Sequence, residues 1–253
     1  MPMEIVTVPC LDDNYAYLVK GPDGVCLIDA PDAPPIEAAL DARGWGLDTI
    51  LVTHHHWDHV DGIGPLRARY GCRVIGPAAE ADKIPPMDQA VRGEDSLQVA
   101  GLAVRVIDVP GHTLGHVAFY MPEAEAVFTA DSLMALGCGR LFEGTPAMMW
   151  DSLQRLAALP PETIVYSGHE YTTSNAKFAL TIEPDSATLK SRVDAIAKAR
   201  TEGRPTAACM LSEELATNPF LRPHVPAIRA GLGMTKATDA EVFAEIRARK
   251  DRF

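Results

Sequence analysis

Short apolar runs, each closed by a turn or a polar cluster, set the rhythm of roughly the first two thirds of the chain. Glu4 to Val8, Asn14 to Val19 and Val25 to Ile28 are three such runs. The last two are separated by the turn Gly21-Pro22-Asp23-Gly24, so they read as an antiparallel start. Pro34 to Leu40 has the proline-led opening of a helix, with Gly44 as its stop. Thr49-Ile50-Leu51-Val52 is a strand, short and rich in branched residues, and Pro65 to Tyr70 looks helical. A strand at Cys72 to Ile75 and a helix at Ala78 to Lys83 continue the alternation. Strands are expected again at Val104 to Val109, Val117 to Met121 and Ala126 to Ala130. A helix at Ala147 to Leu159 and a strand at Thr163 to Tyr166 follow.

From Tyr171 onward alanine, leucine, lysine and glutamate dominate, and the period becomes helical. Ser186 to Thr201 and Thr238 to Lys250 read as helices, the second opened by the capping box Thr238-x-x-Glu241. Two domains are therefore expected, residues 1–171 and a helical one at residues 172–253.

Composition narrows the setting. With 253 residues, 47% hydrophobic and 23% charged, the chain can bury a sizeable core. A net charge of -11 argues against nucleic acid and anionic membrane as partners, because both are polyanions. No apolar run approaches the ~20 residues of a membrane span. Met1 to Pro9 reads as a strand and not as a basic segment followed by an apolar one, so no export signal is expected. Five scattered cysteines without a Cys-x-x-Cys pair suit a reduced, cytoplasmic protein.

The chemistry concentrates at Thr53-His54-His55-His56-Trp57-Asp58-His59, on the loop between a strand and a helix. Imidazole and carboxylate are ligands for divalent metals. In an extended segment His54 and His56 point one way and His55 the other, while Asp58 and His59 follow on a turn and face a second position. Four donors in six residues exceed what one ion needs from one loop, which suggests two metals. His112, Asp131 and His169 each follow a further apolar run, so a layered fold can gather all seven along one edge. His116 reads as structural. Asp29, also at a strand end, is either a turn residue or a hydrogen-bond partner of a liganding histidine.

The run His-x-His-x-Asp-His after an apolar strand resembles the signature of the metallo-β-lactamase superfamily. That resemblance implies an αββα sandwich, with one metal held by His54, His56 and His112. It implies a second held by Asp58, His59 and His169, with Asp131 bridging both and Asp58 and Asp131 as the catalytic carboxylates. Zinc is expected, and iron or manganese also suit the donors.

Four further segments resemble the glyoxalase II family. They are Leu11 to Tyr17, Gly137 to Thr145, Gly168 to Thr172 and Asn218 to Arg222. This resemblance implies a thioester hydrolase that converts S-(2-hydroxyacyl)glutathione to glutathione and a 2-hydroxy acid by a dimetal-bridged hydroxide; a monomer is expected. Glutathione would be held by Arg140, Phe142, Tyr171, Arg247 and Lys250. Phe142 departs from members that carry tyrosine there, and it offers no hydroxyl. Arg247 and Lys250 also suit a helix end without any ligand, by meeting the helix dipole. Lactonases and persulfide-oxidising relatives are the closest alternatives, and the helical C-terminal region with these two basic residues disfavours them.

Overall fold

The computed structural model describes residues 3–253, so the first two residues of the expected opening strand lie outside it. Two compact units divide the chain: one contains the residues up to 108 with 114–129, the other residues 109–113 with 130–253.

In the first unit, β1 (Glu4–Cys10), β2 (Asn14–Gly21) and β3 (Gly24–Ile28) form an antiparallel meander, with Cys10 opposite Asn14 and Gly21 opposite Gly24. The sheet then turns parallel through β4 (Thr49–Leu51), β5 (Arg73–Pro77) and β6 (Gln89–Val91). Parallel neighbours need crossovers. These are α1 (Ala33–Asp41) between β3 and β4, and α2 (Trp57–Val60) with α3 (Ile63–Tyr70) between β4 and β5. Ile36, Leu40, Ile63 and Leu66 of α1 and α3 pack with Leu18, Leu27 and Ile50 of the sheet. A second antiparallel array follows: β7 (Ser96–Val99), β8 (Leu102–Asp108), β9 (Val117–Met121) and β10 (Ala126–Ala130). Tyr17 of β2 meets Phe128 of β10 at 5.6 Å between ring centroids, so the two arrays face each other. β2, β9 and β10 are therefore almost wholly buried and read as continuous apolar runs.

The helix expected at Ala78 to Lys83 is only a 3-10 turn, Ala78–Glu80. Glu80 turns its carboxylate inward, and Pro85-Pro86 bar the chain from propagating a helix.

In the second unit, β11 (Leu133–Met134) and β12 (Gly137–Cys138) make a small hairpin. α4 (Pro146–Ala157) starts where the Thr145 hydroxyl accepts from the Met148 N–H at 3.3 Å. β13 (Ile164–Ser167) pairs antiparallel with β14 (Ala208–Met210), a strand inside the stretch expected to be helical. The remaining helices are α5 (Thr172–Ile182), α6 (Ala187–Thr201), α7 (Leu211–Thr217), α8 (Pro226–Leu232) and α9 (Asp239–Asp251). The capping box of Thr238 and Glu241 opens α9 as the spacing predicts.

Glu214, fully buried, organises this unit. It accepts from the Leu136 N–H at 3.0 Å, from Asn218 Nδ2 at 2.7 Å and from Cys209 Sγ at 3.1 Å, and Arg192 neutralises it. Asn218 Nδ2 also donates to the carbonyls of Met134 and Gly137. The hairpin is thus held by groups from the C-terminal helices. A carboxylate buried this way persists only because every lone pair is met.

Candidate metal centre and substrate cavity

In the first unit the metal loop leaves β4 and enters α2. Asp29, at the end of β3, has φ 56°, a left-handed conformation that aspartate tolerates better than most residues. Its Oδ1 accepts from the Thr53 N–H and its Oδ2 from the Thr53 hydroxyl, both at 2.8 Å. Oδ2 also meets His59 Nδ1 at 2.9 Å. Of the two readings of Asp29, the hydrogen bond to a candidate ligand is the one the structure adopts.

These bonds assign tautomers. A proton on His59 Nδ1 faces the carboxylate and leaves Nε2 with a lone pair. Thr53 Oγ1, its proton given to Asp29, accepts from His54 Nδ1 at 3.0 Å, so in the neutral ring the lone pair of His54 is on Nε2. That nitrogen lies 3.1 Å from His56 Nδ1. Two imidazole nitrogens this close can share a proton or converge on an ion. Asp29, His54 and His59 offer donor atoms within 4.8 Å of one another. His54 also stacks on the buried His116, with ring centroids 4.6 Å apart and planes 14° from parallel.

His55 points elsewhere, as alternation predicts. Its ring Nδ1 and its own N–H meet Glu80 Oε2 at 2.8 and 2.7 Å, and Glu80 Oε1 accepts from the Gly115 N–H at 3.0 Å. Asn14 Nδ2 donates to Asp58 twice at 3.0 Å, to the carboxylate and to the carbonyl. Sequence reasoning gave no role to Glu80, Thr53 or Asn14. Asn14 alone left a signal, an amide opening a wholly apolar run.

The second unit carries the other three candidate ligands. Asp131 Oδ2 lies 3.2 Å from His112 Nε2 and 3.3 Å from His169 Nε2, with all three side chains buried. His112 Nδ1 donates to the Arg140 carbonyl at 2.8 Å, which in the neutral ring puts the lone pair on Nε2. Backbone approach is tight here. A Cβ on Gly139 would lie 1.8 Å from the Asp131 carbonyl oxygen. One on Gly111 would meet Met149 at 2.8 Å, and Gly111 has φ 152°. Only glycine fits either place. Imidazole nitrogen and carboxylate oxygen together are donors for divalent metal ions.

A cavity of about 290 Å³ opens beside His112 and Asp131 in this unit, and all five residues expected to hold glutathione line it. Phe142 sets its edge on His112 at 5.3 Å and Tyr171 stacks on His169 at 4.7 Å, 4° from parallel. Arg247 is buried over the Phe220 ring. It donates through Nη1 to the Cys138 carbonyl at 2.8 Å and pairs through Nη2 with Asp251 at 2.9 Å. Its buried Nε makes no hydrogen bond among the described residues. Such a guanidinium, turned into the body of the unit, does more than meet a helix dipole. Lys250 Nζ lies 3.1 Å from Ser174 Oγ. Burial, helped by Arg247, lowers its pKa to about 8. Burial also pushes the Cys138 thiol up to about 11, so it stays protonated at neutral pH.

Comparison with known proteins extends the picture. A family model described as the metallo-β-lactamase superfamily matches residues 11–169, and one described as hydroxyacylglutathione hydrolase C-terminus matches residues 170–253. A hydroxyacylglutathione hydrolase of Ruegeria pomeroyi is 60% identical over 255 residues, covering 100% of both chains. Another from Cereibacter sphaeroides is 57% identical with the same coverage. One from Brucella ovis is 53% identical, covering 99% of this chain and 98% of its own. Among solved structures, ETHE1 from Myxococcus xanthus aligns with a TM-score of 0.68 at 25% identity, over 98% of this chain and 90% of that one. A protein solved in a di-iron-bound form aligns at 0.63 with 29% identity, over 86% and 100%. The fold is that of the metallo-β-lactamases, with a C-terminal helical region added.

Proposed function

The chain belongs to the hydroxyacylglutathione hydrolase family of the metallo-β-lactamase superfamily, and on that premise we propose that it hydrolyses S-(2-hydroxyacyl)glutathione. S-D-lactoylglutathione is the substrate, and glutathione and D-lactate are the products. The observation that carries this reading is the second unit's cavity, where Arg140, Arg247 and Lys250 gather beside His112 and Asp131. Arg140 and Arg247 share the one carboxylate of Asp251, so three cations against one anion leave the cavity positive in a chain of net charge -11, which suits a ligand with two carboxylates.

His54, His56 and His112 would hold one ion and Asp58, His59 and His169 the other, with Asp131 shared. The common approach of His112 and His169 to Asp131 Oδ2 supports the sharing. The tautomers fixed by Asp29, Thr53 and the Arg140 carbonyl support the ligand roles of His59, His54 and His112. When bound, a pair of divalent ions supplies hydroxide near neutral pH and an electrophile for the carbonyl oxygen. Zinc is the metal we propose, with iron and manganese compatible with the same donors.

This chain's residues do the rest. Arg140, Arg247 and Lys250 bind the carboxylates, and Phe142 and Tyr171 flank the glutathione backbone while bracing His112 and His169. No residue need protonate the leaving group, because a thiol of pKa about 8.5 departs as thiolate.

Residues 1–171 would supply the chemistry and residues 172–253 part of the recognition, a division supported by the two family matches meeting at 169 and 170. The protein would work in the cytoplasm. Five free cysteines and thiols held near pKa 12 at Cys10 and Cys26 are consistent with a reducing compartment. No helix among the described residues is long and apolar enough to cross a membrane. A monomer suffices, since one chain carries all seven candidate ligands and the whole cavity. The test is hydrolysis of S-lactoylglutathione beside a lactone and a β-lactam, with metal analysis of the same sample. Preference for the thioester is expected, and preference for the lactone would overturn the assignment.

A further inference from the structure

We propose that Phe178 and Phe253 form a two-walled aromatic cage that positions the Lys250 ammonium, making Phe253, which lies outside the cavity lining, a determinant of glutathione affinity. This rests on the proposed function for the identity of the ligand. Lys250 Nζ lies 5.4 Å from the Phe178 ring centroid and 5.1 Å from that of Phe253. The two rings are 5.6 Å apart and inclined at 66°, so the ammonium sits in the angle between two aromatic rings. Ser174 completes the seat with its hydroxyl at 3.1 Å and its carbonyl at 3.4 Å.

Among the described residues, the seat contains no carboxylate. Asp251, next in sequence, is engaged by Arg247 at 2.9 Å and by Arg140 at 3.6 Å. The distinction matters for binding. A carboxylate partner would hold Lys250 and cancel its charge, whereas ring faces attract the cation through their quadrupole and leave the charge available. The two walls differ. Phe178 is buried in α5 and stacks on Phe220 at 5.9 Å, so it cannot yield. Phe253 is 62% exposed and can be changed without opening the core.

The experiment measures glutathione binding by calorimetry, and KM and kcat for S-lactoylglutathione, in a double-mutant cycle. Phe253→Leu keeps an apolar side chain and removes the ring face, and Phe253→Trp restores one. Phe253→Leu should weaken glutathione binding and raise KM about two- to fivefold, the size of an exposed cation–π contact, with kcat unchanged. Phe253→Trp should match or improve on wild type. In a Lys250→Ala background, Phe253→Leu should add nothing. An equal loss in both backgrounds would show that Phe253 only packs the helix end, and no loss in the wild-type background would remove the cage outright. Glutathione binding with this dependence but without hydrolysis would keep the cage and overturn the proposed function. Hydrolysis indifferent to Phe253 would do the reverse, and a protein that neither binds glutathione nor hydrolyses its thioester would overturn both.

Discussion

The loop at residues 53–59 and the segment at 131–142 both carry candidate metal ligands, yet they are held by different means. In the first, side chains hold side chains: Asp29 grips His59 and Thr53, Glu80 grips His55, and Asn14 grips Asp58. In the second, backbone does the holding. His112 is oriented by the Arg140 carbonyl, and Gly139 lets the chain pass closer to Asp131 than any Cβ permits. A side-chain support can be weakened by degrees. A backbone support either fits or fails, because its alternatives are steric.

The sharpest way to break the comparison is Asp131→Ala, which removes the oxygen that both His112 and His169 approach. Metal content should fall from two equivalents to one, and kcat on the order of a thousandfold, about 4 kcal/mol of barrier. One equivalent of metal in fully active wild-type protein would sink the two-metal scheme. Asp29→Asn is gentler. It keeps one acceptor and the left-handed backbone, so the loss should show as metal affinity reduced by roughly ten- to a hundredfold, read by competition with a chelator.

Recognition should separate from chemistry at Lys250. Lys250→Ala is expected to raise KM roughly tenfold, the lower end of what a charge-assisted hydrogen bond contributes, while metal content stays at wild type. The smallest effect is in pH. Lys250 is charged below its pKa of about 8 and neutral above it, so KM should rise as pH increases through that value. The groups that face it do not mask the change. The Cys138 thiol stays protonated to about 11, and among the described residues the partners from α5 are Ser174 and Phe178, neither of which titrates. Lys250→Arg should flatten the rise, and a profile unchanged by that substitution would assign the effect to another group.

How much of this was legible in the chain follows the same division. His54, His56, Asp58 and His59 are contiguous, so strand alternation alone separates them into two directions. Asp29 stayed ambiguous because its bond to His59 spans 30 residues and depends on β3 lying beside β4. Glu80 reads as part of a helix in the sequence, because an acidic residue in Ala-Ala-Glu looks solvated and nothing local announces its burial. β6 and β7 are not legible because their runs are short and polar, and α5 lies in the expected helical region without a start of its own, because Thr172-Thr173-Ser174-Asn175 is a poor helical opening. Arg247 and Lys250 could be placed on one helix face, but not beside Cys138 and Ser174, which lie 109 and 76 residues away.

The dependence of the β11–β12 hairpin on Glu214 also sets an order in time. Leu136 has φ 55°, and its N–H is satisfied by a carboxylate 78 residues later. During synthesis at about 5–20 residues per second, that partner is made roughly 4–16 seconds after the hairpin itself. The metal loop has all its side-chain partners, Asn14, Asp29, Thr53 and Glu80, by residue 80. A nascent chain therefore completes the supports of its first candidate ligands early and those of the hairpin beside the cavity late, so the two regions mature in the order in which the ribosome delivers them.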